Sequence, residues 1–323
     1  MAVANLMQVS VERRGRSDGR ALPAVFELGL VAEKILRSES RGRIAAVFEN
    51  SFYAALGNQW ICVGLPHLGS GPLHVLCDHR TQYWPAIGDA VTVTGSVIRI
   101  GSMPFATFGD AAIWSPESPA RWTHAALLLG LGAVDEYFHV EPTEEGLASA
   151  GCARRPMKLT SLMAAAAPGI AALDRVITNA LDGRAQSPTD SAEIAALIGL
   201  GPGLTPSGDD LLGGALIALA ALDLPTVRDL LWAACRDELD RTNDVSRIHL
   251  RTAALGYGAA AMHAAIHTTI SGKIDRMAQA LAAVSAIGHS SGRDGFAGAL
   301  IVLRAVERHF ASDEARAPVF RRV

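Results

Sequence analysis

The sequence predicts an α+β protein, with a small β-rich N-terminal domain over residues 1–120 and a mainly α-helical domain over residues 121–323. Two observations predict this class. Short apolar runs separated by turn residues fill the first third of the chain, whereas alanine and leucine at helical spacing fill the remainder. With 323 residues, half of them hydrophobic, the chain is long enough to bury a large core.

Four apolar runs predict the strands of the N-terminal domain, at residues 44–48, 60–65, 73–77 and 91–100. Within the last run, Gly95 predicts a bulge or bend. A helix is expected before the strands, from about Ala24 to Leu36.

Helical stripes predict the C-terminal domain, and their apolar members are Ile274, Met277, Leu281 and Val284, then Phe296, Leu300 and Leu303. One helix is expected to end near Asp182. A turn at residues 187–190 is then expected to cap a helix over residues 191–198.

Charge and cysteine content narrow the functional classes. The formal net charge is -3, and such a chain lacks the broad basic surface that nucleic acid requires. The cysteines form no CxxC pair, which favours buried thiols in a reducing compartment; they are Cys62, Cys77, Cys152 and Cys235. The early arginines follow a weak apolar stretch, unlike a secretory signal, and the longest apolar run, 211–222, is too short for a bilayer. We therefore expect a cytoplasmic protein without nucleic-acid or membrane contacts.

The loop at residues 199–210 is the strongest candidate for a functional site. It places four glycines, two prolines, Thr205 and Ser207 before an apolar helix, where free backbone N–H groups and the positive helix end favour an anion. It is not a Walker loop, because the glycine spacing differs and no lysine precedes a hydroxyl residue. Asp209 and Asp210 are expected in the first helical turn. The alternative is that Ser207 or Asp209 only caps the helix.

A second loop of the same kind occupies residues 288–295, again before an apolar helical stripe. Its polar members are His289, Ser290, Ser291, Arg293 and Asp294. Arg293 can hold a carboxylate or phosphate through paired donors, while Asp294 can orient it or receive a proton. An ordinary helix-helix turn is the alternative. Two such loops favour one shared pocket, so we predict that residues 201–210 and 288–294 face each other.

Two weaker candidates follow. In the segment 242–247, Thr242 or Asp244 is expected to cap a helix, and Ser246 and Arg247 are either ligand contacts or solvent-facing residues. His263 and His267 are four residues apart and can share a helix face, but no third ligand is evident. We therefore predict packed or exposed histidines, no metal site and no cofactor. No Gly-x-Ser-x-Gly motif indicates a serine hydrolase.

Three motifs resemble those of the AllH-like family. They are GPGLTPSGDD at 201–210, the segment 242–246 and GHSSGRD at 288–294. The named member of that family is a subunit of oxamate carbamoyltransferase in allantoin breakdown. The resemblance implies transfer of a carbamoyl group between phosphate and the amide nitrogen of oxamate or a related small amide or ureido acid. It also implies partner subunits and small anionic substrates, carbamoyl phosphate among them.

If the resemblance carries function, each loop residue takes a role. The expected substrate-binding residues are Gly201, Gly203, Thr205, Ser207, Gly208, Asp209, Ser246, Ser290, Ser291 and Arg293. The expected catalytic residues are Asp210, His289 and Asp294. We expect Asp210 to handle the proton or to position the substrate. His289 with Arg293 is expected to bind the second anion or the carbonyl oxygen. A non-catalytic small-anion-binding subunit and a purely structural subunit are the alternatives.

Overall fold

The computed structural model describes residues 22–38, 40–77, 84–118, 121–140, 146–151 and 160–316. The arginines of the first twenty-one residues and Cys152 lie outside the described residues. Within the described residues, a sheet over residues 25–114 precedes a mainly helical region, so the predicted α+β class is confirmed.

Nine strands form one sheet in the order β8-β7-β6-β2-β3-β4-β5-β1-β9. Their bounds are β1 (Val25–Gly29), β2 (Ser40–Val47), β3 (Ser51–Leu56), β4 (Gln59–Gly64), β5 (His74–Cys77), β6 (Ala90–Thr94), β7 (Val97–Ile100), β8 (Met103–Thr107) and β9 (Ala112–Trp114). The sheet curves, because Ala24 forms a parallel bridge to Thr107 and so brings the end of β8 to the start of β1. Helix α1 (Leu30–Arg37) packs its buried face, Ala32, Ile35 and Leu36, into the core of the sheet.

Two predictions in this region need correction. The expected helix over 24–36 begins only at Leu30, because the preceding residues pair with β5 and β9 and bury Val25 and Leu28. Gly95 marks neither a bulge nor a bend within one strand. With a φ of 57°, it forms the turn that divides the run 91–100 into the hairpin β6-β7.

Nine further helices follow the sheet in the described residues. They are α2 (His124–Val140), α3 (Ser161–Leu181), α4 (Pro188–Ala195), α5 (Ser207–Ala221), α6 (Pro225–Arg236), α7 (Asp244–Ala254), α8 (Ala260–Ile270), α9 (Ile274–Ser285) and α10 (Ser291–Arg316). They share a core separate from that of the sheet. Among the described residues, α3 alone is long and apolar enough to cross a membrane, which is weak evidence because core helices pass the same test.

The helical predictions hold in part. The predicted end near Asp182 is confirmed, because α3 ends at Leu181. The helix expected over 191–198 instead starts at Pro188, since Ser187 is its N-cap and accepts the Thr189 N–H. The predicted stripes are buried, except that Ile274 is 62% exposed at the first residue of α9.

Helices α5 and α10 cross with their backbones in contact, and this crossing positions the site. A Cβ on Gly214 would overlap the carbonyl oxygen of Gly295, and a Cβ on Gly298 would overlap that of Leu211. Only glycine permits such an approach. Because the contact lies between the first turn and the middle of α5 and in the first third of α10, it brings their N-terminal ends together.

Candidate functional site

The two polar loops are in direct contact. The Thr205 Oγ1 lies 2.7 Å from the Ser291 Oγ, within hydrogen-bond distance, although the two residues are 86 positions apart. The predicted proximity of the loops 201–210 and 288–294 is therefore confirmed. Both loops end at a helix start, α5 and α10, so the N–H groups of two helix ends lie near one another.

The glycines of the first loop have different structural roles. Gly201 and Gly203 have φ values of 118° and 97°, a region that favours glycine. Among the described residues, and apart from its two chain neighbours, no atom lies within 4 Å of a Cβ placed on Gly203, so the exposed backbone there is open on that side. Gly208 is buried, and a Cβ on it would overlap the Leu197 carbonyl oxygen. The geometry thus favours a packing role for Gly208.

The start of α5 is not capped by a side chain. Its N-cap is Pro206, with no side-chain hydrogen bond to the helix. The alternative that Ser207 or Asp209 serves as the cap is therefore wrong. Asp209 and Asp210 do lie in the first turn, as predicted, where the helix dipole favours carboxylates.

Asp209 is the anchor of the first loop. The residue is 2% exposed, and its carboxylate accepts hydrogen bonds from the Gly199 N–H at 2.8 Å, the Ser246 Oγ at 2.6 Å and the Thr242 Oγ1. A buried carboxylate needs such donors. Asp209 and Ser246, both expected to bind substrate, are thus engaged with each other, and the geometry favours a positioning role for the pair.

Helix α7 is joined to the same loop through its N-cap. The cap is Asn243, whose Oδ1 accepts the Ser246 N–H at 3.0 Å, so the expectation of Thr242 or Asp244 is wrong. The Asn243 Nδ2 also donates to the Leu204 carbonyl at 2.8 Å. This side-chain bridge holds the loop against α7. Arg247 lies within 3.4 Å of Asp240 and Asp244, which occupy its guanidinium.

Asp294 is enclosed at the start of α10. Its residue is fully buried, and its Oδ1 accepts the Leu147 N–H at 2.6 Å. Gly146 has a φ of 61°, and a Cβ on it would overlap the Asp294 carboxylate. The Gly146-Leu147 backbone therefore wraps one side of this carboxyl group, a contact that the sequence pattern did not indicate.

The electrostatics distinguish Asp210 from an ordinary surface carboxylate. Burial raises its pKa well above the usual value, and the charges of Asp294 and Asp209 raise it further, against hydrogen bonds from Ser291 and Thr205 that lower it. Asp210 is nevertheless only partly buried as a whole residue. It is thus a relatively basic carboxylate with one buried oxygen, Oδ2, in a residue that keeps some exposed surface.

Burial also raises the pKa of Asp294, while hydrogen bonds from Ser207 and Leu147 lower it. Ser207 is 3% exposed, so its hydroxyl serves this buried carboxylate rather than solvent. One oxygen of Asp294, Oδ2, and one of Asp210, also Oδ2, are buried without a hydrogen-bond partner among the described residues.

The second loop presents its remaining polar groups more openly. His289 is exposed, and Ser290 and Arg293 are half-buried. The Arg293 guanidinium donates to the His289 carbonyl at 2.6 Å, which holds the arginine over the start of its own helix. Cationic and hydroxyl groups therefore border the carboxylates on the α10 side.

The two histidines of α8 are packed. The His263 Nε2 accepts the Gly258 N–H at 3.1 Å, and burial lowers the pKa of His263 to about 4. Burial also lowers the pKa of His267. Across the described part of the chain, no group of three His, Cys, Asp or Glu side chains is arranged to hold a metal ion.

A contact between the sheet and α7 went unpredicted. The Tyr53 hydroxyl lies 2.8 Å from the His249 Nε2, and Val245 packs beside it against Tyr53 and Cys62. Burial lowers the pKa of His249 to about 4, so the ring is neutral and can accept from the phenol. No local pattern links residues 196 positions apart. This contact fixes α7, and with it Ser246, relative to the sheet.

We expect Asp210→Asn to raise the free energy of unfolding near pH 8, by on the order of 1 kcal/mol. The raised pKa means that the native state binds more protons than the unfolded chain between the two pKa values, so stability falls as pH rises through this interval. The gain should therefore shrink as the pH is lowered toward about 4. Denaturant titrations at several pH values measure it. A loss of stability at every pH would contradict the prediction.

The candidate site lies where the starts of two helices adjoin, and glycine-rich backbone, hydroxyl groups and carboxylates surround it. Residues 197–303 match the family model described as oxamate carbamoyltransferase subunit AllH. This segment is about a third of the chain and contains both loops, so the AllH-like resemblance predicted from the motifs is confirmed over it. No solved structure matches the chain.

Proposed function

We propose that this chain is a subunit of a carbamoyltransferase that acts on oxamate or a related small amide or ureido acid, with carbamoyl phosphate as the second substrate. The observation that carries the proposal is the direct contact between the two loops, both within the AllH-like segment. One small ligand that contacts both loops would explain why residues so distant in sequence are brought together.

The reaction sets three requirements. The amide nitrogen forms a bond to the carbamoyl carbon, the bond from that carbon to the phosphate oxygen breaks, and the nitrogen loses a proton. The site must therefore hold the phosphate, stabilise the negative charge that develops on the carbonyl oxygen, and accept the proton.

The described geometry supports a role for each group. The exposed backbone near Gly203 and the hydroxyl of Thr205 suit the phosphate, because N–H and O–H groups at a helix start bind anions. Arg293, with His289, Ser290 and Ser291 nearby, suits the second anion or the carbonyl oxygen. Asp210 suits the proton, because its raised pKa makes it a stronger base than an ordinary aspartate.

Partner subunits complete the proposal, since the family name is that of one subunit of an enzyme. The small net charge of -3 accords with a cytoplasmic protein that handles small metabolites rather than nucleic acid or membrane. Neither a metal nor a cofactor is part of the proposed reaction, because proton transfer and charge stabilisation are available from side chains and backbone.

We expect the chain, reconstituted with its partner subunits, to support phosphate-dependent cleavage of a ureido acid, or the reverse carbamoyl transfer. Asp210→Asn should lower kcat by about 10²-fold to 10⁴-fold, the usual range for loss of a general base. Asp275→Asn is the matched control, because Asp275 also lies in a first helical turn but is exposed on α9. It should leave kcat unchanged. A complex inactive with oxamate and with a panel of related amides would overturn the proposed reaction.

A non-catalytic small-anion-binding or structural subunit is the second candidate. The observation that favours it is that three side chains of the motifs are hydrogen-bonded to other groups of the protein. They are Asp209, Ser246 and Ser207. Activity of the complex that is insensitive to Asp210→Asn would support this candidate. Stabilisation of the chain by a small anion would then separate a binding subunit from a structural one.

A further inference from the structure

Neighbouring residues satisfy the hydrogen-bonding capacity of the Asp210 and Asp294 carboxylates only in part. Each has one buried oxygen without a hydrogen-bond partner among the residues that the structure describes. Asp294 has no exposed surface, so bulk water does not reach it. An unsatisfied buried acceptor costs about 1–3 kcal/mol. When both carboxyl groups are ionised, the two oxygens need donors that the described residues do not supply, and a ligand can supply them.

The charge around this pair favours donors over anions. Asp209 lies beside Asp210 on α5, and Arg293 beside Asp294 on α10; within the part of the chain that the structure describes, these charged groups act on the pair. Among the described residues, two carboxylates with a third nearby therefore lie close to one guanidinium and two helix ends, each helix end equivalent to about half a positive charge. Ionised carboxylates only accept hydrogen bonds. A phosphate or second carboxylate placed between them would add repulsion without adding a donor.

We infer that Asp210 and Asp294 form the subsite for a primary amide or carbamoyl –NH₂ group, whose two N–H bonds are directed to the two unpartnered carboxylate oxygens. This inference rests on the proposed function, whose substrates carry such a group. An –NH₂ group presents two donors in one plane and no charge, which suits two acceptors on different helices. The anionic part of the same molecule then lies toward Arg293 and the glycine-rich backbone.

The two carboxylates differ in access, and this gives the subsite a direction. Asp210 keeps some exposed surface and is hydrogen-bonded to Ser291 and Thr205, so the proposed ligand enters on its side. Asp294 lies behind, held by the Leu147 N–H. Asp210 is thus the more accessible of the two acceptors for the proton that the nitrogen loses, while Asp294 fixes the position of that nitrogen.

Oxamate and oxalate provide the test, because they differ only in that the –NH₂ of oxamate is replaced by a negatively charged oxygen. Calorimetric titration of the purified full-length chain near pH 8 should show oxamate binding at least about tenfold more tightly than oxalate. Burial raises the pKa of both carboxyl groups, so lowering the pH protonates the pair. The ratio of the oxamate affinity to the oxalate affinity should therefore fall at lower pH, since protonated carboxyl groups can donate hydrogen bonds to oxalate. Equal or tighter binding of oxalate near pH 8, or no binding of either ligand, would overturn the inference.

Substitutions test which residues are responsible. Asp210→Asn and Asp294→Asn each replace an acceptor oxygen by an –NH₂ donor, so either should reverse the preference in favour of oxalate. Asp275→Asn, on the exposed surface of α9, should leave both affinities unchanged. If Asp294→Asn does not fold, two measurements still test the inference: the pH series of the unaltered protein and the affinities of Asp210→Asn for the two ligands. An unchanged oxamate preference in Asp210→Asn would overturn the assignment.

Failure of the subsite and failure of the proposed reaction give different results. If the reconstituted complex shows no carbamoyl transfer but the chain still binds oxamate more tightly than oxalate, the proposed reaction is contradicted and the proposed amide subsite stands. Carbamoyl transfer by a chain without that preference would contradict the subsite and leave the reaction.

Discussion

Gly214→Ala should destabilise the protein by about 3 kcal/mol or more, because the two helices at the site must separate to admit one methyl group. A Cβ on Gly214 overlaps the Gly295 carbonyl oxygen, which is backbone and has no rotamer by which to move aside. The displacement would also separate the two loops, so ligand binding should weaken with stability. Thermal and denaturant unfolding measure the first effect, and calorimetry with oxamate the second.

Gly213→Ala is the matched control, one position earlier in α5. Its added Cβ would meet only the Ala253 Cβ, at 3.8 Å, an ordinary van der Waals contact. Because alanine is about 1 kcal/mol more favourable than glycine within a helix, this variant should be neutral or stabilised. Similar behaviour of the two variants would contradict the close backbone crossing.

Asp209→Ala is expected to destabilise the protein by on the order of 4 kcal/mol. The substitution leaves three donors without their acceptor: the partly buried Gly199 N–H and the buried hydroxyls of Thr242 and Ser246. It should also release α7 from the loop, since the bond from Ser246 to Asp209 is lost. Denaturant unfolding gives the stability, and amide hydrogen exchange at the start of α7 should increase.

Asp209→Asn keeps the size of the side chain and changes its hydrogen bonds, so it distinguishes these two contributions to stability. The amide oxygen can still accept the Gly199 N–H, and the two hydroxyls can rotate to accept from the amide –NH₂. We therefore expect a smaller loss than for alanine. Asp275→Ala, at an exposed first turn, should cost less than about 1 kcal/mol. A loss for Asp209→Ala no larger than that control would show that Asp209 is not an anchor.

The sequence predicted those parts of the fold that depend on local pattern. Strand runs, helical stripes and the end of α3 follow from periodicity and capping, which act over a few residues. At residues 25–29 the local pattern predicts part of a helix, whereas the structure has strand β1, whose partners β5 and β9 come much later in the chain. Pairing with distant strands overrode the local tendency.

The candidate site was predictable as two loops but not as a set of contacts. Glycine, hydroxyl and carboxylate residues before apolar helices identified both loops. Nothing local indicates that Asp209 turns inward to Thr242 and Ser246, or that Leu147 reaches Asp294. These bonds join residues 33 to 147 positions apart, and only the packing of whole helices determines them.

The crossing of α5 and α10 also bears on how the chain folds during synthesis. The loops that meet there are 86 residues apart, and closing a loop of that length has an entropic cost that delays a contact until its second half exists. Helix α5 is buried along most of its length, so it emerges from the ribosome with apolar surface that α10 has not yet arrived to cover. The last helix of the described chain therefore completes both the core and the site. A nascent chain that stops before Ser291 would expose that surface, and it would be a target for chaperones and proteases.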